Sequence, residues 1–71
     1  MAEFHGSYYG PNVRMRATGL GLDDYLIIER YLENDNSWVE VSRFSQASDY
    51  CYTNARRAAS DLAARVNMRQ A

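Results

Sequence analysis

The sequence predicts an α+β fold: a three-stranded antiparallel sheet in β-β-β-α order, with one C-terminal helix packed on one face. Three observations predict it. Residues 12–18 alternate in polarity with period two. Two runs rich in β-branched and aromatic residues, 25–33 and 37–44, flank a short polar turn. From Ser48 onward, small and apolar residues recur at three- and four-residue spacing. Seventy-one residues make one domain, read as an irregular arm over 1–12, a sheet over 13–44 and a helix over 48–67.

The arm is read as irregular because Gly6, Gly10 and Pro11 punctuate it and Tyr8-Tyr9 is its main hydrophobic content. In the first strand Val13, Met15 and Ala17 share one side, and Arg14, Arg16 and Thr18 share the other. Gly19 and Gly21 then break the strand. The hairpin follows, turning at Asn34-Asp35-Asn36. A three-residue loop suits this turn because asparagine tolerates a left-handed final position. That loop pairs Glu33 with Ser37, Leu32 with Trp38, Arg30 with Glu40 and Leu26 with Phe44. One face then carries Leu26, Ile28, Leu32, Trp38 and Phe44; the other carries Tyr25, Ile27, Glu29, Tyr31, Val39 and Val41. A two- or four-residue loop would shift the register by one and regroup the faces.

In the helix, Ser48 is the expected cap and Asp49 sits near the positive N-terminal end. Cys51, Ala55, Ala58, Ala59, Leu62 and Val66 form the apolar stripe, and the alanines permit close approach to the sheet. Asn67 is the expected terminator, with fraying beyond it. A single helix leaves one sheet face uncovered.

Charge is distributed unevenly. All eight basic residues are arginine, and the formal net charge is −1. Between Leu20 and Ser45, six acids face only two arginines, a local charge of −4. From Gln46 onward, four arginines face two acids, a local charge of +2. Six of the nine aromatic residues are tyrosine, which suits half-buried surfaces and interfaces. The start of the chain lacks the basic and apolar regions of a signal peptide. Cys51 is the only cysteine, which fits a reducing compartment. The expected location is the cytoplasm, with no membrane association.

No constellation of residues suggests an enzyme. Cys51 lies on the apolar stripe, where a cysteine acts as a small hydrophobe, and nothing near His5 fixes its orientation. Gly19-Leu20-Gly21 precedes a strand and lacks the lysine of a phosphate-binding loop. Asp23, Asp24, Glu29 and Glu33 do not converge as metal ligands. Glu29 and Glu33 share a strand face but stand roughly 13 Å apart, at about 3.3 Å per residue. No metal or cofactor is expected.

Two candidate surfaces remain. Asp23, Asp24, Tyr25, Glu29, Tyr31, Glu33, Asp35 and Trp38 combine acids with aromatic rings on or beside the hairpin. Aromatic residues anchor interfaces and acids steer toward basic partners, so this group is the expected protein-binding surface. The alternative is nucleic-acid binding through Arg14, Arg16, Arg56 and Arg57, which the acidic hairpin would oppose. A further alternative is a small homo-oligomeric accessory or structural protein, a homodimer for instance, that pairs through its uncovered sheet face.

The layout of residues 25–67 resembles the small phage-encoded inhibitors, anti-CRISPR proteins among them. The hairpin strand Ser37-Trp38-Val39-Glu40-Val41-Ser42-Arg43-Phe44 and the alanine-rich helix over 49–67 carry the resemblance. It implies a non-enzymatic, stoichiometric inhibitor that occupies a basic, nucleic-acid-binding surface on a bacterial defence complex, such as a CRISPR effector.

Overall fold

The computed structural model describes residues 6–68, and side chains through Val66. Its architecture is α+β: an antiparallel sheet with one C-terminal helix across one face. The strands are β1 (Gly6–Tyr8), β2 (Val13–Ala17), β3 (Tyr25–Leu32) and β4 (Ser37–Ser45), followed by α1 (Cys51–Met68). The four strands lie in sequence order, each antiparallel to the next.

The expected sheet of three strands is corrected to four, because part of the arm pairs with β2. Ser7 lies opposite Met15 and Tyr8 opposite Arg14. Gly6 explains how so unpromising a segment joins the sheet. A Cβ at Gly6 would lie 1.9 Å from the carbonyl oxygen of Met15, so only glycine permits this approach. Gly10, at φ 119°, then turns the chain, and the N–H of Tyr9 donates to the carbonyl of Val13 at 2.8 Å.

Strand β2 alternates as its sequence demands. Val13 and Met15 are buried beneath the helix, while Arg14 and Arg16 take the opposite face. The loop into β3 is organised by Asp24. Its carboxylate accepts from the Thr18 hydroxyl at 3.1 Å and from the Gly21 N–H at 2.9 Å. A Cβ on Gly19 would lie 2.4 Å from that carboxylate.

The expected hairpin loop of three residues is corrected to four. Residues 33–36 form the loop, with Asn36 left-handed at φ 50° as its terminal position requires. Leu32 therefore pairs with Ser37, Tyr31 with Trp38, Arg30 with Val39 and Glu29 with Glu40. The expected partners Glu33–Ser37, Leu32–Trp38 and Arg30–Glu40 do not form. A β-bulge between Ile28 and Glu29 then absorbs one residue, Val41, so that Ser42 lies opposite Ile28. Beyond the bulge Leu26 and Phe44 pair as expected. The consequence is local: Trp38 moves to the open face, and Val39 and Val41 move to the helix side.

The helix begins three residues later than expected. Residues 45–48 turn first, with the Ser48 N–H donating to the Ser45 carbonyl at 3.2 Å. Tyr50 takes the cap position that Ser48 was expected to hold. Its carbonyl accepts the first helical bond, from the Asn54 N–H at 2.9 Å, and its φ is 61°. Asp49 consequently lies outside the first helical turn. At the other end the helix runs one residue past Asn67. Arg65 lies in the last turn, where its charge complements the helix dipole.

Cys51, Ala55, Ala59, Ala63 and Val66 are buried, with Ala58 and Leu62 half-buried beside them. Ala63 extends the expected stripe. Ala55 and Ala59 are 0% exposed, so the helix backbone rests directly on the sheet. The core is this stripe against Val13, Met15, Leu26 and Ile28. Each large aliphatic side chain buried there contributes about 1.5–3 kcal/mol.

Candidate functional site: the open face of the sheet

Strand register builds the face opposite the helix. One cross-strand row contains Tyr8, Arg14, Glu29 and Glu40; the next contains Gly6, Arg16, Ile27 and Arg43. Tyr31 and Trp38 form a pair toward the hairpin tip, and Tyr25 lies at the far end.

Glu29 is the electrostatic centre of this face. Its Oε1 accepts from Arg14 Nε at 2.7 Å, and its Oε2 lies 3.1 Å from Arg16 Nε. The residue is only 6% exposed. A carboxylate that deeply placed requires compensating charge, and two arginines supply it. Ile27 is 2% exposed although no helix covers this face. Its cross-strand neighbours on either side are Arg16 and Arg43, whose aliphatic stems can lie over it.

Arg14 also stacks on Trp38, with its guanidinium carbon 4.2 Å from the ring centroid. The Trp38 ring lies 5.3 Å from Tyr31 and 6.1 Å from Tyr8, tilted 58° to each. These separations suit tilted aromatic pairs. Tyr31 donates its hydroxyl to Asn36 Oδ1 at 3.1 Å, tying the cluster to the hairpin tip. Tyr8 is 60% exposed, so the outer edge of the cluster is open to a partner.

A third ion pair borders the face. Arg43 donates from Nε and Nη2 to the two carboxylate oxygens of Glu40, each at 2.8 Å. That fork holds the Glu40 carboxyl below its ordinary pKa and raises that of Arg43. Arg43 also lies 5.0 Å from the ring centroid of Tyr25. With three arginines and two glutamates, the face carries a charge of +1.

The acidic segment does not gather into one patch. Asp23 is exposed in the loop before β3, and Asp24 is engaged within that loop. Glu33 and Asp35 are exposed at the hairpin tip. These groups lie at opposite ends of β3, roughly 26 Å apart at about 3.3 Å per residue. Glu29, assigned to partner contact from the sequence, is buried beneath Arg14 and Arg16. Tyr25, Tyr31 and Trp38 do share the open face.

The four arginines of the nucleic-acid alternative also divide. Arg14 and Arg16 lie on the open face, while Arg56 and Arg57 are exposed on the helix. Arg16 and Arg56 meet only at the sheet edge, where both line a groove of about 270 Å³. Reasoning from sequence missed Tyr8 and Arg43. Arg43 was visible as the residue opposite the open-face Ile27, but Tyr8 depended on the pairing of β1.

Cys51 is buried, with its Sγ 3.9 Å from the Gln46 carbonyl, and His5 lies outside the described residues. Among the described residues, no three His, Cys, Asp or Glu side chains gather as a metal site. No described helix is long and apolar enough to cross a membrane. No family model, curated protein or solved structure matches the chain.

Proposed function

We propose that the chain is a non-enzymatic binding protein that docks on a protein partner through the open face of its sheet. The observation that carries this reading is the Trp38 cluster. Tyr8, Tyr31 and Arg14 converge on one tryptophan on a face that no other element covers among the described residues. Tryptophan, tyrosine and arginine are the residues that dominate interface energetics. Their positions are held by cross-strand pairing and by Glu29, so little freedom is lost on binding.

The near-neutral charge of the face favours a protein over a nucleic-acid backbone, because Glu29 already compensates Arg14 and Arg16. Glu33 and Asp35 are exposed at the hairpin tip and would meet basic groups on the partner. The layout resemblance to phage-encoded inhibitors extends the reading. The partner would be a bacterial nucleic-acid-handling complex of the CRISPR-effector kind, blocked stoichiometrically in the cytoplasm.

The test is capture from bacterial lysate by wild type, by Tyr8→Ala/Trp38→Ala and by Leu22→Asp, each verified as folded by circular dichroism. Leu22 is an exposed residue of the loop before β3. The proposal expects one protein to be retained by wild type and Leu22→Asp and lost by the double variant. Equal capture by all three would overturn it.

A further inference from the structure

Strand β4 forms one edge of the sheet, and among the described residues no strand lies beyond it. It is nine residues long, against three for β1 at the other edge. A long edge strand is a template for pairing with another chain.

The backbone groups of β4 that face outward follow from the hydrogen bonds of β3. The Tyr31 N–H donates to the Asn12 carbonyl at 2.8 Å, and the Tyr25 carbonyl accepts from the Thr18 N–H at 3.0 Å. Odd-numbered residues of β3 therefore bond toward β2, and even-numbered ones toward β4. Just before β3, Asp24 obeys the same rule and accepts from the Gln46 N–H at 2.9 Å. The partners of the even-numbered residues are Ser37, Val39, Ser42 and Phe44. Trp38, Glu40, Arg43 and Ser45 accordingly direct their backbone groups outward, although the Ser45 carbonyl also accepts from the Ser48 N–H. The bulge at Val41 makes this outward series symmetric about the Val41–Ser42 bond.

We infer that β4 pairs antiparallel with β4 of a second copy of this chain, with the two-fold axis at the Val41–Ser42 bond. Glu40 of each copy then lies opposite Arg43 of the other, and Trp38 opposite Ser45. Outward-facing backbone groups meet outward-facing backbone groups. Glu40 and Arg43 both belong to the open face, so the opposed side chains are oppositely charged, as a stable cross-strand pair requires. Within one copy they already form a fork at 2.8 Å. In the dimer their charges alternate along the seam, with each arginine between two carboxylates. Moving the axis onto Val41 would set Glu40 opposite Ser42 and lose both matches. On the helix side, Val39, 37% exposed, meets the half-buried Phe44 of the second copy, and Val41, 50% exposed, lies beside the axis. The pairing uses the edge of the sheet and leaves the open face uncovered, so the inference does not depend on the proposed protein interface.

The experiment is sedimentation velocity of the full chain from about 5 to 500 µM, with Glu40→Arg, Arg43→Glu and an equimolar mixture of the two, each variant verified as folded by circular dichroism. A single-strand interface is small, so wild type should dimerise with a dissociation constant of about 10–100 µM. Glu40→Arg sets arginine opposite arginine, and Arg43→Glu sets glutamate opposite glutamate. Each variant alone should self-associate at least about tenfold more weakly. The mixture should recover a dimer, because unlike charges face each other only between the two variants. Amide exchange should place the contact: the Glu40 and Arg43 N–H groups should slow as wild-type concentration rises. A wild-type chain that stays monomeric throughout, as it would if β4 served only a different protein, overturns the inference. So does self-association that both variants retain, or a mixture no more dimeric than its components.

Discussion

The guanidinium of Arg14 lies 4.2 Å from the ring centroid of Trp38 while its Nε donates to Glu29 at 2.7 Å. One arginine thus joins the aromatic cluster to the buried carboxylate of the open face. Trp38→Ala removes the ring that Arg14, Tyr8 and Tyr31 all contact. The expected loss is about 1–3 kcal/mol, below that of a core tryptophan because Trp38 is half-buried. Urea denaturation of the variant would measure it, and an unchanged midpoint would remove Trp38 from any role in ordering this face.

The Glu40–Arg43 fork makes a prediction about pH. The folded-state pKa of Glu40 is lowered below 4.5, chiefly by the hydrogen bonds from Arg43. A lowered carboxylate pKa contributes stability that is present above the unfolded value and lost as pH falls through the folded value. The stability gap between wild type and Arg43→Ala should therefore be constant near neutrality. It should close as pH drops from about 4.5 through the lower folded-state pKa. A carboxyl NMR titration should place the Glu40 midpoint below that of Arg43→Ala.

Tyr50 caps the helix at φ 61° and is 79% exposed. The left-handed region costs an L-residue roughly 1–2 kcal/mol, and the exposed ring makes little contact in return. Glycine tolerates both this conformation and the cap position. Tyr50→Gly should accordingly stabilise the fold by about 0.5–1 kcal/mol, net of the greater entropy of glycine in the unfolded chain. A thermal midpoint lower than that of wild type would contradict this account of the helix start.

Val41 is the extra residue of the β3–β4 bulge. Deleting it should leave Glu40 opposite Glu29 and Ser42 opposite Ile28, in a regular ladder. The variant should fold with Tyr31–Trp38 and Leu26–Phe44 proximities intact, although the strand loses the bend that the bulge imposes. Nuclear Overhauser contacts between those pairs would check it. Loss of the Leu26–Phe44 contact alone would show that the bulge is needed to seat β4.

Much of the fold was legible in the sequence because it rests on local periodicity. The alternation of Val13, Met15 and Ala17 is enough to separate a buried face from the arginine face. The recurrence of Cys51, Ala55, Ala59 and Val66 is enough to aim the helix at the sheet. Both signals follow from backbone geometry that neighbouring residues share. The aromatic residues of the site were legible as types, but their grouping was not.

What the tertiary structure alone decided is which residues meet. A loop of four residues in place of three moved Trp38 to the open face, since pairing register inverts every side chain with each single-residue step. The bulge at Val41 restored the register that seats Phe44, a compensation that no local pattern announces. Gly6 admitted a fourth strand and placed Tyr8 beside Trp38, a contact set by a backbone approach rather than by hydrophobicity. The same pairing placed Arg14 and Arg16 over Glu29 and divided one acidic stretch of sequence between the two ends of the sheet. Composition determined how much charge this chain carries; distance, which depends on long-range pairing, decided which charges remain available to a partner.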